Sequence, residues 1–156
     1  MRKRMLISVL GAITLVLAVV LASPAGQNPA ASKPTSITVY KTPTCGCCGK
    51  WVQHLTSAGF APVVNDLPDV GSTKAKLGVP SELGSCHTAV VDGYIVEGHV
   101  PADVIKQLLK ERPNVVGIAV PGMPVGSPGM EQGDEKQPYD IIAFDKTGKT
   151  TVYAKR

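Results

Sequence analysis

The chain has 156 residues, 44% hydrophobic but only 4% aromatic, with 16 Lys+Arg against 12 Asp+Glu for a formal charge of +4. Arg2, Lys3 and Arg4 supply most of that excess, and without them about +1 remains. That is too little positive charge to hold a polyanion, so nucleic-acid binding has no electrostatic support.

Residues 1–4 are basic, residues 5–21 are uncharged and almost wholly apolar, and small residues follow at Ala22, Ser23 and Ala25. Basic, apolar and small regions in that order describe an export signal, expected over residues 1–25. Left uncleaved, the apolar run approaches the roughly 17 to 25 residues of a spanning helix and would be the one expected membrane attachment. Either outcome delivers the remainder outside the cytoplasm. Residues 26–36, rich in Pro, Ala and Ser, read as a flexible linker. Residues 37–156 are then one small domain whose core must rest on aliphatic side chains.

"SITVY" at 36–40 is β-branched and aromatic, a strand. Trp51, Val52, Leu55 and Ala58 recur at three- and four-residue spacing, the stripe of an amphipathic helix, and Gly59 is its stop. Residues 61–65, "APVVN", read as a second strand, parallel to the first through a right-handed crossover. Residues 67–85 suggest short helical turns and loop. Thr88–Val91 and Tyr94–Glu97 flank Asp92-Gly93, a two-residue hairpin signal. Pro101 opens a helix with Val104, Ile105, Leu108 and Leu109 on its buried face, and Pro113 ends it. Asp103 in its first turn and Lys110 and Arg112 in its last suit the helix dipole. An apolar run at 115–120 precedes a turn-rich stretch, 121–133, and strands at 139–144 and 150–153 make a terminal hairpin. The expected fold is α+β, a thioredoxin-like β-α-β-β-β-α core with a Gly/Pro/Met-rich loop and a C-terminal β-hairpin.

In that topology the first strand feeds Cys45, Cys47 and Cys48 into a helix N-terminus. The 88–91 strand lies antiparallel beside it, bringing Cys86 and His87 to the same sheet edge, and the hairpin returns His99 there. The chain after the last helix has the reach to present Met123 and Met130 as well. Cys45 and Cys48 form a C-x-x-C pair at a helix end, which favours the thiolate that attacks disulfides and binds metals. Cys47 adds a C-x-C relation suited to metal bridging. Soft thiolates and thioethers select Cu(I), which imidazole tolerates; zinc could use the same thiolates, but the paired spacing of a zinc ribbon is absent. The competing reading of the cysteines is structural disulfides, with Cys47–Cys86 as the bridge beside a redox-active Cys45–Cys48. His54 reads as a solvated helix residue rather than a ligand, and Trp51 as core. The alternative role for His99 is to cap the helix at Pro101. For Met123 and Met130 it is to cover a small hydrophobic surface.

The stretches "TPTCGCCGKW" and "CHTAVVDGYIVEGHVPA", with "GIAVPGMPVGSPGME" and "YDIIAFDKTGKTTVYA", resemble the CopG-like family of exported copper-resistance proteins, a metal-binding family of thioredoxin-like fold, over residues 39–153. The resemblance implies a periplasmic Cu(I)-binding protein that holds more than one copper ion and has some redox competence. It points to Cys45, Cys47, Cys48 and Cys86 as sulfur donors. His87, His99, Met123 and Met130 complete the candidate ligand set, and other periplasmic copper-handling proteins are the expected partners. The rival reading is a thiol–disulfide oxidoreductase with Cys45 as nucleophile and Cys48 as resolving thiol.

Overall fold

Strand β1 (Thr35–Lys41) buries Ile37 and Val39 completely while their neighbours stay at least partly exposed, the two-residue period of a pleated strand. It stands in a computed structural model that describes residues 33–156. The expected export signal and most of the expected linker lie outside the described residues. From β1 the chain enters α1 (Gly46–Ser57), then β2 (Phe60–Asp66), which pairs parallel to β1 as the crossover argument requires. Gly59, just past α1, sits at φ +89°, the left-handed conformation expected of a helix-stop glycine.

Residues 67–85 hold the short helix α2 (Gly71–Leu77) and a 3-10 turn, Ser81–Leu83. Strands β3 (Thr88–Val91) and β4 (Tyr94–Glu97) follow with the expected bounds. Asp92 and Gly93 between them both have positive φ, 49° and 87°, as a tight hairpin turn of this length demands. Helix α3 (Ala102–Glu111) begins one residue later than expected, because Pro101 keeps an extended ψ and serves as the N-cap. Arg112 is not part of its last turn but the left-handed residue that ends it.

The largest departure concerns the C-terminal third. Strand β5 (Gly117–Ala119) is parallel to β4, and β6 (Asp140–Phe144) and β7 (Thr150–Lys155) continue from it. The terminal hairpin is therefore no appendage but the far end of one seven-stranded sheet, in the order β2-β1-β3-β4-β5-β6-β7. Gly117 permits this: a Cβ there would run into the Ile95 carbonyl oxygen, so only glycine lets β5 close on β4.

Side-chain alternation gives the sheet two apolar faces. Ile37, Val39, Val96, Ile118 and Ile141 share one with Trp51 and Leu55 of α1 and Ile105 and Leu108 of α3. Ile95, Ala119 and Phe144 pack on the other with Leu83, partly covered by Leu77 and Val79. Among the described residues no helix is long and apolar enough to cross a membrane.

Candidate metal centre

Cys45 is the N-cap of α1, its N–H bonded back to Thr42 O at 3.2 Å, so the cysteines leave β1 through a tight turn and start the helix at once. No side chain caps α1 and no acidic residue occupies its first turn, so its N–H groups favour anionic sulfur there. Cys45 and Cys48 are joined as a disulfide across 5.3 Å between Cα atoms. Cys48 is buried, whereas Cys45 and Cys47 are partly exposed. Cys47 keeps its thiol, and its Sγ lies 3.5 Å from Cys45 Sγ.

The second half of the site comes from β3 and β4. Tyr40 faces Thr88 across the antiparallel β1–β3 pair, so the residues just before Thr88 meet the chain just after β1. Cys86 Sγ thereby lies 3.9 Å from Cys47 Sγ. Thr88 in turn faces Glu97, which carries the chain beyond β4 to the same edge and puts His99 Nε2 3.0 Å from Cys86 Sγ. His87 Nδ1 is 3.3 Å from the same sulfur. Two donor groups result, Cys45/Cys47/Cys48/Cys86 and Cys86/His87/His99, each with its ligand atoms within 4.8 Å of one another. Cys86 belongs to both.

Supporting contacts orient these groups. His99 Nδ1 lies 2.8 Å from Pro128 O; a carbonyl only accepts, so Nδ1 carries the hydrogen and Nε2 turns a lone pair to Cys86. The Trp51 ring lies against His87 at 4.3 Å between centroids, and its indole N–H donates to Val100 O at 2.9 Å. Glu97 is fully buried yet bonded on all sides: it accepts from Lys74 Nζ at 2.5 Å, from Ser85 N–H at 2.6 Å and from the Thr88 hydroxyl. That network ties the residue preceding Cys86 to β4, so a buried ion pair sets the height of the Cys86 loop.

Burial dominates the protonation chemistry. It pushes the Cys86 thiol up to about 12, with neighbouring Cys47 adding to the effect, so the metal-free thiol is protonated at neutral pH. Burial also holds His99 below its usual value and His87 well below it, with His99 adding to the effect on His87. Both rings are neutral and able to donate lone pairs.

The turn-rich stretch closes over this edge. Gly129 packs so tightly that a Cβ would stand 2.6 Å from Cys47 O and 3.0 Å from Trp51 N, and its φ is +88°. Glu131 accepts from the Gly129 N–H at 2.9 Å, holding the turn. Gly129→Ala combines a left-handed backbone with a collision against α1. It is expected to lower stability by about 2 kcal/mol and to loosen the Pro128–His99 bond, read as an earlier urea midpoint together with a shifted His99 imidazole resonance.

The four cysteines, His87 and His99 thus meet at one edge, as the topology argument expected. Met130 shares an open recess of about 290 Å³ with Cys47, Lys50 and Glu131. Met123 is 51% exposed, beside a Gly122 whose carbonyl is tied to Ser85. One reading needs correction. His54 is not a solvated residue: its Nε2 accepts from the Ala102 N–H at 3.0 Å, so it, rather than His99, caps α3. Trp51 is core, as expected, and it is also the wall that fixes the His87 ring. Glu97, Pro128, Gly129 and Glu131 carry no sequence motif; a glutamate at a strand position facing a buried threonine was the one available hint.

A sheet edge that gathers four sulfurs and two neutral imidazoles defines the chain as an α+β protein with a candidate soft-metal centre. Comparison with known proteins narrows that class. Residues 83–130 match a family model described as "Protein of unknown function, DUF411". A solved structure named "Copper resistance protein copG- Form 2" is 47% identical, with 79% of this chain and 98% of that one covered at a TM-score of 0.76. Its counterpart named "Form 1" has the same identity and coverage at a TM-score of 0.75. No curated protein matches. The chain belongs to the CopG-like family of copper-resistance proteins.

Proposed function

We propose that this protein works outside the cytoplasm in copper resistance or homeostasis, binding Cu(I) through Cys45, Cys47, Cys48 and Cys86 with His99 and His87 beside them. One observation carries the reading: Cys86 Sγ stands within 3.9 Å of a thiol and 3.0 Å of an imidazole lone pair, so a single sulfur joins a sulfur-rich and a nitrogen-bearing donor group. His87 Nε2 supports it, being buried with no hydrogen-bond partner among the described residues, a costly state unless the site exists for something other than stability. The donor set fits the metal, since thiolates and imidazoles suit Cu(I) and more than one ion has sulfurs to share. Bound copper would supply a one-electron couple. The chain supplies the sulfurs, fixes His99 through Pro128 and shields the edge with the 121–133 loop. We read the β1-α1-β2 and β3-β4-α3 units as a thioredoxin-like frame for this centre. Closing Cys45–Cys48 withholds two of the four sulfurs, which makes copper capacity depend on thiol redox state.

Anaerobic titration of the fully reduced protein against a chromophoric Cu(I) chelator tests the proposal. The protein is expected to take Cu(I) from the chelator and to lose that ability when Cys47→Ser and Cys86→Ser are combined; unchanged binding in the double variant would overturn it. A thiol–disulfide oxidoreductase is the second reading, favoured by the half-exposed Cys45 of a helix-terminal disulfide.

A further inference from the structure

Cys47 and Cys86 are free thiols, and both stand next to a disulfide rather than away from it. The sulfurs make a chain of short steps: Cys48 is bonded to Cys45, Cys45 Sγ is 3.5 Å from Cys47 Sγ, and Cys47 Sγ is 3.9 Å from Cys86 Sγ. Reacting atoms poised for attack stand about 3–3.5 Å apart, so the first gap is at attack distance and the second is within reach of a small side-chain rotation. A structural disulfide needs no thiol aimed at it. A storage pair needs no third sulfur between itself and a fourth.

We infer that the protein carries an internal disulfide relay, in which one disulfide moves between the Cys45–Cys48 pair at the end of α1 and the Cys47–Cys86 pair that joins α1 to β3. In the first step Cys47 attacks Cys45: the Cys47–Cys45 bond forms, the Cys45–Cys48 bond breaks, and Cys48 leaves with the electron pair and takes up the proton that Cys47 gave up. In the second step Cys86 attacks Cys47: the Cys47–Cys86 bond forms, the Cys47–Cys45 bond breaks, and Cys45 leaves with the pair and the proton from Cys86. The chain holds one disulfide and two thiols before and after, so no outside oxidant or reductant takes part.

The relay gives Cys47 a task distinct from metal bridging, and it stands whether or not copper binds. Cys48 is fully buried, so a disulfide made with it is closed off on that side. Cys47 opens into the recess shared with Lys50 and Met130. Moving the disulfide onto Cys47 offers it to an external dithiol and returns Cys45 and Cys48 as a free pair. The fold thus has two arrangements of the same oxidation level, differing in which pair of sulfurs is available.

The test uses the full chain stripped of copper by a chelator, reduced, and re-oxidised with limiting diamide to one disulfide per molecule. After the oxidant is removed, samples are acid-quenched at intervals, alkylated with N-ethylmaleimide and mapped by mass spectrometry. The Cys47–Cys86 linkage is expected to grow at the expense of Cys45–Cys48 until it holds at least about 1% of the chains, the scale of a detectable minor state. Cys47→Ser is expected to freeze the disulfide at Cys45–Cys48. The inference is overturned if Cys45–Cys48 is the sole linkage at every time with Cys47 and Cys86 always alkylated, or if Cys47→Ser passes the disulfide to Cys86 at an unchanged rate. Because copper is absent, neither result bears on the Cu(I) titration.

Discussion

Cys86→Ser is expected to weaken Cu(I) binding at least about a hundredfold, since loss of an orienting outer group alone costs about 10- to 100-fold and Cys86 is a direct donor. It is also expected to weaken binding more than Cys47→Ser does. The reason is its place rather than its type. Cys47 serves the sulfur group alone, whereas Cys86 serves the sulfur group and the group with His87 and His99. A serine oxygen is a hard donor with little attraction for Cu(I), so the change severs the two groups at their shared atom. The fold should tolerate it: serine keeps the hydrogen-bonding capacity facing His99 Nε2, and Cys86 is only partly buried. Equal losses for the two serine variants in chelator competition, with unchanged urea midpoints, would mean that the imidazole group takes no part.

The contrast between these two cysteines bears on what a reader of the sequence could see. Cys45, Cys47 and Cys48 announce themselves by spacing. Cys86 and His87 become part of the same site only once β3 is placed beside β1, and that placement was legible because Asp92-Gly93 is a strong local signal flanked by two short β-rich runs. His99 followed from the hairpin's geometry. What stayed hidden depends on long-range contact without local pattern. Glu97 looks like an ordinary polar residue on a strand until α2 brings Lys74 against it. Gly129 looks like one more turn glycine in a stretch full of them, yet a Cβ there would collide with α1. His54 lies on a helix face that reads as solvated, because the N-terminus of α3 comes from nearly fifty residues away to meet it. The sheet's extension through β5 was hidden for a similar reason: three residues have no periodicity to read, and Gly117 in a strand normally argues against one.

The copper-free protein is expected to lose stability as pH falls from 7.5 to 5.0, above the range in which ordinary exposed carboxylates titrate. His54, His87 and His99 all have lowered folded-state values, with burial the largest cause in each. The unfolded chain takes up these protons near pH 6.5, while the folded chain resists them. A lowered histidine therefore contributes stability that is complete above about 6.5 and is lost as pH falls through the window between the unfolded and folded values. For the fully buried His87 and His99 the slope reaches at most about 1.4 kcal/mol per pH unit each. Protonating His54 also removes the lone pair that caps Ala102. Glu97 works in the opposite sense. Burial raises its value above the usual carboxylate range despite Lys74, Thr88 and Ser85, so its contribution is present at low pH and is lost as pH rises through the raised value. One carboxylate offsets part of three histidines, and the sum still falls with pH. Urea midpoints at the two pH values read the difference directly. A flat profile would mean that the three rings take up protons in the folded protein as readily as in the unfolded chain.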